Sequence, residues 1–167
     1  MIPRTLYDSD HEMFRDSLRK FIDVEAMPHH EQWEKDGMVS DEIWLKAGEQ
    51  GFLCPMIPEE HGGLGTDFRY NCIVNEEIGR SGCTGLGWTL HNDITVPYIV
   101  RYGSEEQKKK YLPLCITGEL ITAIAMTEPG AGSDLQGTHT TAVLDGDHYI
   151  LNGSKTFITN GQKAGLV

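Results

Sequence analysis

The sequence predicts an α+β fold, in which an all-α helical bundle is followed by antiparallel β-strands. Up to about residue 118, apolar residues recur at helical spacing, as in Phe14, Leu18, Phe21 and Ile22, which form one stripe of an amphipathic helix. Beyond Gly118 the pattern alternates, and Asp-Gly and Asn-Gly pairs separate short runs. Such pairs between alternating runs are typical of β-hairpins.

Composition and charge exclude several classes of function. The 167 residues carry a formal net charge of -11, so no broad basic surface is available to neutralise nucleic-acid phosphates. No apolar run is long enough for stable membrane insertion, and residues 1–10 lack the cationic start and apolar core of a signal peptide. The four cysteines form no C-x-x-C pair and the seven histidines do not cluster at ligand spacings, so neither a disulfide framework nor a metal site is predicted.

Local signals place the first three helices. Ser9 and Glu12 form a capping box that predicts the start of the first helix. Pro28 is expected to break or kink this helix before a short polar helix over residues 29–36. Ser40 is the expected N-cap of a third helix.

Residues 54–65 contain two prolines and three glycines, which predicts a loop. The stretch Gly62-Gly63-Leu64-Gly65 is compatible with a phosphate cradle or with a tight turn between packed helices. It lacks the Lys-Ser/Thr ending of a P-loop and a clear preceding strand, so the tight turn is favoured.

A fourth helix is predicted over residues 67–78 and is expected to stop at Gly79 and Gly82. Glu76 and Glu77 lie inside it. Paired carboxylates can act as acid and base, but neighbouring side chains on a helix diverge, so structural roles are predicted for both.

Two more helices complete the predicted bundle. Residues 84–102 are apolar on nearly all sides, as expected for a central helix, and Pro97 interrupts them. Ser104 and Gln107 form a capping box for a helix that ends near Gly118. Three lysines at positions 108–110 are interpreted as a solvated face of that helix.

An apolar β-type run over residues 120–125 opens the second half of the chain. Three further strands are predicted: residues 138–144, ended by Asp145-Gly146; residues 148–151, ended by Asn152-Gly153; and residues 156–159, ended by Asn160-Gly161.

Residues 125–134, with the sequence A-M-T-E-P-G-A-G-S-D, are a candidate ligand loop. Glycines leave backbone N–H groups uncovered, so the loop can bring amides against an anionic or electron-rich ligand. Gly130 and Gly132 invite comparison with the dinucleotide fingerprint G-x-G-x-x-G, but Leu135 stands where the third glycine belongs. A Rossmann site is therefore not predicted.

This loop resembles the flavin-contacting signature (A/V)-M-T-E-P-G-A-G-S-D of the acyl-CoA dehydrogenase family. Residues 152–161, N-G-S-K-T-F-I-T-N-G, resemble the N-G-x-K-x-(W/F)-I-T-N-G segment of the same family, and residues 58–65 resemble its P-E-E-x-G-G-x-G turn. The resemblance implies a helical domain over residues 1–119, followed over residues 120–167 by the first antiparallel strands of an incomplete β-barrel domain.

The resemblance implies FAD as the cofactor and assigns roles to individual residues. Met126 and Thr127 would present donors near N1 and O2 of the flavin, Phe157 would pack on one ring face, and Thr159 would hydrogen-bond near N5. Ser133 would contact acyl-CoA or the flavin phosphates, and position 157 is often tryptophan in the family. The implied cofactor-binding residues are Ile124, Ala125, Met126, Thr127, Ser133, Phe157, Ile158 and Thr159, with Ser133 also assigned to substrate binding.

The implied reaction is α,β-dehydrogenation of a fatty acyl-CoA thioester to the trans-2-enoyl-CoA, with electrons passed to an electron-transferring flavoprotein. The family's catalytic glutamate lies in a C-terminal helical domain, and no residue here matches it, so the expected catalytic set of this chain is empty. We therefore expect an N-terminal fragment that is inactive alone, holds FAD weakly or not at all, and associates through unpaired strand edges.

The phrases around residues 123–126 and 151–155 favour long-chain members, with Trp88, Leu90 and Ile94 as candidate lining of the acyl pocket. The full-length form is expected to be a homodimer or homotetramer. The lack of an Arg-rich leader favours a bacterial cytoplasmic protein or, as a second choice, a mature protein of the mitochondrial matrix.

Two alternatives remain open from the sequence. One is another flavoenzyme of related fold: an acyl-CoA oxidase, a nitroalkane oxidase-like enzyme or a two-component flavin monooxygenase. The other is a flavin-free helical interaction module, against which the intact Met126-Thr127 and Phe157-Ile158-Thr159 stretches speak.

Overall fold

The structure, a computed structural model, describes residues 5–167, and residues 1–4 of the predicted helical domain lie outside this range. Helices precede a two-stranded antiparallel sheet, which confirms the predicted α+β class. The elements are α1 (Ser9–Phe21), α2 (Met27–Asp36), α3 (Asp41–Glu49), α4 (Phe68–Ser81), α5 (Val96–Tyr102), α6 (Glu105–Thr117), β1 (Thr141–Asp145) and β2 (His148–Asn152).

Helix α1 is capped by Asp8, so the predicted Ser9–Glu12 capping box is wrong. The Asp8 carboxylate accepts hydrogen bonds from the N–H groups of Asp10 and His11, and the His11 ring lies against the Asp8 backbone N–H. Asp8 has extended backbone geometry, which an N-cap requires, whereas Ser9 is already helical. Aspartate and serine are about equally good N-caps, so the backbone conformation, and not the side chain, decides that Asp8 caps the helix in place of Ser9.

Two prolines are accommodated by π-helical turns. A π turn over Ile22–Ala26 joins α1 to α2 just before Pro28, and another over Leu90–Thr95 leads into α5 just before Pro97. An α-helical proline ring clashes with the carbonyl four residues back, and the extra residue of a π turn changes that register. The chain therefore stays helical through both prolines, and neither proline breaks the helix.

The other predicted helix caps are confirmed, and one of the predicted helix stops is wrong. Ser40 caps α3, and Ser104 and Gln107 form the predicted capping box of α6. Helix α4 begins after Asp67 and ends at Gly82, which has φ of 73°. Gly79 lies inside α4 instead of stopping it, because its backbone stays helical.

The loop predicted over residues 54–65 is present, with a short 3-10 turn at Glu59–His61. Its glycine N–H groups donate to nearby backbone carbonyls: Gly63 to Pro58 at 3.2 Å and Gly65 to Ile57 at 2.8 Å. These amides already have partners within the chain, so the stretch is a tight turn between helices, as predicted.

The core of the helical unit centres on two tryptophans. The rings of Trp44 and Trp88 meet edge to face with centroids 6.4 Å apart, and both side chains are buried. Trp88 also packs near Phe21. Because Trp88 is fully enclosed in this core, it cannot line an acyl pocket, which corrects that expectation; Leu90 is half-buried and Ile94 exposed.

Helices α3 and α6 approach closely through glycines. A Cβ at Gly48 would lie 2.3 Å from the carbonyl oxygen of Thr117, and one at Gly118 would lie 2.4 Å from that of Trp44. Side chains at either position would push the helices apart.

A buried ion cluster joins α1 to α4. The Glu77 carboxylate, 1% exposed, accepts hydrogen bonds from Arg15, Arg19 and Arg80 at 2.7 to 3.1 Å. Arg15 also binds Glu76 at 2.8 Å. Both acids therefore have the predicted structural role, and their side chains reach the same arginine despite being neighbours on the helix.

The β-hairpin pairs Thr141 with Asn152 and Asp145 with His148, and both of its faces are exposed. The third predicted strand, residues 156–159, is wrong: this segment is a loop in which Phe157 has φ of 55°. Residues 120–125 are extended but pair only briefly with residues 165–166, through Ala123 to Leu166 and Gly165 to Ile121. Within residues 5–167, no helix is long and apolar enough to cross a membrane.

Candidate functional site

The loop over residues 125–134 closes on itself at its first turn. Glu128 and Ala131 exchange two backbone hydrogen bonds, at 2.9 and 3.1 Å, around Pro129 and Gly130. Pro129 and Gly130 lie exposed at the tip, where no side chain covers the glycine backbone. The turn fixes the direction in which the preceding residues, Met126 and Thr127, are presented.

Glu128 anchors this turn from beneath. Its carboxylate, 6% exposed, accepts hydrogen bonds from the N–H groups of His139 at 2.7 Å and Thr140 at 2.9 Å. The Lys155 ammonium binds the same carboxylate at 2.9 Å. The nearby Thr140 side chain, the His139 N–H and Lys155 hold the pKa of Glu128 well below its usual range. This glutamate is therefore ionised and fully engaged in structure.

The two sequence motifs meet at Thr127. The Thr156 N–H donates to the Thr127 carbonyl at 2.9 Å, and the Lys155 ammonium donates to the Met126 carbonyl at 3.0 Å. These contacts join segments that are 29 positions apart in the sequence. The family resemblance assigns residues of both motifs to flavin contact, but it did not predict that the motifs bind each other or that Lys155 holds them together.

The N–H groups of Met126 and Thr127 donate no hydrogen bond within the described part of the chain. Thr127 is half-buried and Met126 is 47% exposed. Neither donor is used within residues 5–167, so both are available to a ligand or to solvent.

Phe157 directly follows Thr156, whose N–H binds the Thr127 carbonyl, and its side chain is 92% exposed. Its φ of 55° is rare for a bulky side chain, and it turns the chain where a strand was predicted. Ile158 is half-buried and accepts a hydrogen bond from Gly161, whereas Thr159 is exposed. An exposed aromatic ring on a strained backbone is typical of a ligand contact.

Ile124 and Ala125, both half-buried, border an open groove of about 550 Å³. The opposite walls come from α5 and α6 and are rich in aromatic rings: Tyr98, Tyr102 and Tyr111. Ser133 is exposed on the far side of the Glu128–Ala131 turn, and within residues 5–167 no hydrogen bond links it to the second motif.

Two supporting residues escaped the sequence analysis. Buried His91 lies 2.8 Å from the Thr122 hydroxyl and 3.0 Å from the Cys115 carbonyl, so it fixes the segment that leads into Met126. Burial lowers the pKa of His91 to about 4, only partly offset by the Cys115 carbonyl. Asn160 donates to the carbonyls of Gly87 and Thr122. Neither contact leaves a local signal, because each joins residues far apart in sequence.

In the range from residue 5 to residue 167, no group of three or more His, Cys, Asp or Glu side chains is arranged to hold a metal ion. The four cysteines are free thiols, three of them buried and Cys72 half-buried.

Comparisons with known proteins agree with this geometry. The chain matches the family "Acyl-CoA dehydrogenase, N-terminal domain" over residues 8–119 and "Acyl-CoA dehydrogenase, middle domain" over residues 123–167. It is 56% identical over 164 residues to the mitochondrial long-chain specific acyl-CoA dehydrogenase of Sus scrofa, covering 98% of this chain and 38% of that protein. The chain thus spans well under half the length of this curated relative.

Solved structures give the same result. An acyl-CoA dehydrogenase from Geobacillus kaustophilus superposes with a TM-score of 0.94 at 56% identity, over 99% of this chain and 44% of that one. An acyl-CoA dehydrogenase from Bacillus anthracis, solved in complex with FAD, gives 0.90 at 40% identity, over 98% and 29%. With both domain families matched in order and the two motifs brought together at Thr127, this chain belongs to the acyl-CoA dehydrogenase family.

Proposed function

We propose that the protein carrying this chain is an FAD-dependent acyl-CoA dehydrogenase, which converts fatty acyl-CoA thioesters to trans-2-enoyl-CoA. Residues 1–119 are assigned to its N-terminal helical domain and residues 120–167 to the beginning of its middle β domain. The observation that carries the proposal is the joining of the two motifs at Thr127, beside N–H groups that donate to nothing within residues 5–167.

The donor set fits a flavin. The pyrimidine edge of an isoalloxazine ring carries hydrogen-bond acceptors, and the available N–H groups of Met126 and Thr127 are donors of matching chemistry. The ring system is flat and apolar, and the exposed Phe157 side chain supplies a surface on which it can pack. When bound, FAD supplies the hydride-accepting chemistry of the reaction.

Each remaining candidate residue has a place in this proposal. Thr159 supplies an exposed hydroxyl, and Ile158 supplies the half-buried support beside Phe157. Ile124 and Ala125 form the extended approach to the donors. Ser133, exposed beyond the turn, is assigned to the phosphate-bearing part of FAD or of acyl-CoA.

We assign no catalytic base to this chain. Glu128, the glutamate of the first motif, already accepts three hydrogen bonds, and its lowered pKa makes it a weak proton acceptor. The proton-abstracting glutamate of the proposed reaction is therefore placed outside residues 1–167.

Fatty acyl-CoA of long chain length is the proposed substrate class, supported by 56% identity to a long-chain specific relative. The proposed electron acceptor is an electron-transferring flavoprotein, and the proposed assembly is a homodimer or homotetramer. We further propose a bacterial cytoplasmic location, with the mitochondrial matrix as the alternative, since bacterial and mitochondrial proteins are both among the relatives.

The test is to purify the full gene product, add FAD and record the visible spectrum before and after anaerobic addition of a long-chain acyl-CoA. Bound-flavin bands that bleach with the substrate are expected. A product that binds no flavin would overturn the proposal, and one whose flavin bleaches only with an unrelated reductant would overturn the substrate class. Residues 1–167 alone are expected to bind FAD more weakly than the full product.

A variant links the test to this site. Phe157→Ala removes an exposed ring, so it should leave the unfolding temperature unchanged while weakening FAD binding about tenfold, the loss of one aromatic stacking partner. Phe157→Trp should preserve binding. Equal FAD affinity in wild type and Phe157→Ala would remove Phe157 from the site.

A further inference from the structure

Lys155 occupies an unusual position between the two motifs. Its ammonium lies 2.9 Å from the Glu128 carboxylate and 3.0 Å from the Met126 carbonyl oxygen, and its side chain is 23% exposed. The ion pair with Glu128 keeps the ammonium in place, while one further donor is directed at the backbone of the first motif.

The Met126 carbonyl and the Thr127 N–H belong to the same peptide group. A charged donor on the carbonyl oxygen draws electron density from the peptide nitrogen, and this makes the N–H a stronger hydrogen-bond donor. That N–H has no acceptor within the described residues. Lys155 therefore strengthens a donor, the Thr127 N–H, that binds no acceptor within residues 5–167.

The next peptide is fixed as well. The Thr127 carbonyl accepts the Thr156 N–H at 2.9 Å, so the peptide groups on both sides of Thr127 are held by the second motif. Peptide planarity then ties the orientation of the Thr127 N–H to the Lys155 contact. Lys155 thus controls both the strength and the direction of this donor.

We propose that Lys155 is a positioning residue that stabilises the reduced flavin through the Met126–Thr127 peptide, without touching the flavin itself. This inference rests on the proposed FAD function. Negative charge accumulates on the pyrimidine edge of a flavin when it is reduced, so a stronger donor there favours the reduced form.

The experiment compares the full gene product with its Lys155→Met and Lys155→Arg variants, each saturated with FAD and free of substrate. The measured quantity is the midpoint potential of the bound flavin, by equilibration with reference dyes. Lys155→Met should shift the ratio of reduced to oxidised flavin about tenfold toward the oxidised form, about 30 mV for a two-electron couple. Lys155→Arg, which keeps a charged donor, should restore most of this ratio.

Lys163→Met is the matched control. Lys163 lies in the same C-terminal segment, its side chain is also largely shielded from solvent, and its ammonium pairs with Asp41 of α3, which belongs to neither motif. Its loss should leave the potential unchanged. Should Lys155→Met fail to fold, Lys155→Gln provides a neutral donor of lower strength and should move the potential in the same direction.

A merely structural role for Lys155 would lower FAD affinity or the unfolding temperature and leave the potential of the bound flavin at the wild-type value. That result would overturn the inference. A potential that rises in Lys155→Met would overturn it as well.

A second readout keeps this inference separate from the proposed function. In the flavin-free protein, the backbone amide proton resonance of Thr127 should move upfield in Lys155→Met, because the amide loses its polarising partner. If that shift occurs but the protein binds no FAD, the flavin function fails and the effect of Lys155 on the Thr127 amide in the apoprotein stands. If FAD binds and leaves the wild-type Thr127 resonance unmoved, the inference about Lys155 fails. If the resonance is identical in both proteins, the inference about Lys155 fails.

Discussion

The side-chain nitrogen of Asn160 lies 3.2 Å from the carbonyl oxygen of Gly87, although 73 positions separate the two residues. The same nitrogen donates to Thr122 at 3.1 Å. Asn160 therefore joins the end of the second motif to the segment just before Trp88 and to the segment before the first motif. Its φ of 63° is a conformation that asparagine tolerates better than most residues.

Asn160→Ala should destabilise the protein by about 2–3 kcal/mol, because it removes two hydrogen bonds of about 1 kcal/mol each and strains the left-handed backbone. Asn160→Gly should cost less, about 1–2 kcal/mol, since glycine accepts this φ. Urea unfolding measures both. Equal losses in the two variants would show that backbone conformation contributes nothing at this position.

Gly48→Ala and Gly79→Ala should have opposite effects on stability. At Gly48 a methyl group would meet the backbone of Thr117, so α3 and α6 must separate, at a cost of about 1–3 kcal/mol. At Gly79, inside α4, nothing lies within 4 Å of the added carbon. Alanine there should stabilise the protein by about 0.5–1 kcal/mol through helix propensity. Thermal unfolding of both variants provides the comparison, and a shift of the same sign in both would contradict the packing argument.

Replacing Glu77 should make the free energy of unfolding less sensitive to acid. Burial alone would raise its pKa, but Arg19, Arg80 and Arg15 outweigh burial and lower it from 4.5 to about 2. The carboxylate therefore contributes stability that is fully present above pH 4.5 and is lost as the pH falls toward 2. Glu77→Gln should cost about 2–3 kcal/mol at neutral pH, because Arg15, Arg19 and Arg80 lose the buried carboxylate that they share.

The pH dependence of unfolding between pH 4.5 and 2 is the measurement, and it should be shallower in Glu77→Gln than in wild type. Glu31→Gln is the control, since Glu31 forms only an exposed pair with Lys35 and should cost less than about 0.5 kcal/mol. If the free energy of unfolding depends on pH in Glu77→Gln as steeply as in wild type, Glu77 is not the source of the acid sensitivity.

His91 predicts a second acid-sensitive step at higher pH. Burial lowers its pKa from 6.5 to about 4. Between these two pH values the imidazole binds a proton in the unfolded chain but not in the folded protein. Stability is complete above pH 6.5 and falls, by up to about 3 kcal/mol, as the pH approaches 4. His91→Gln should flatten this part of the stability curve, whereas His148→Gln, at an exposed position, should retain it. Parallel curves for wild type and His91→Gln would be inconsistent with a neutral buried imidazole.

The sequence was sufficient for most of the local signals. Ser40 and Ser104 are followed by helices because a capping side chain acts within three residues of itself. The predicted box at Ser9 and the predicted stop at Gly79 failed because the backbone conformation there differs from the one that each signal favours. The α+β class followed from the change of period, and the assignment of both motifs to one flavin site is a prediction from the family resemblance.

The failures share a different cause. Residues 156–159 have β-forming side chains, but positive φ at Phe157 and Asn160 breaks the extended backbone, and no local pattern marks that choice. The π turns were missed because apolar spacing does not report which carbonyl each N–H selects. Lys155, His91 and Asn160 act across long stretches of chain, so their partners could be found only in the folded protein.

The two π turns also bear on how this chain can change in length. An extra residue in an α-helix would rotate every later side chain by about 100°. The π turns at Ile22–Ala26 and Leu90–Thr95 each take up one extra residue within a helix that continues into α2 or α5. Deleting one residue from either turn would restore α geometry and set Pro28 or Pro97 against the carbonyl four residues before it. One residue can therefore be deleted from either π turn without a proline clash only if the proline after that turn is replaced at the same time.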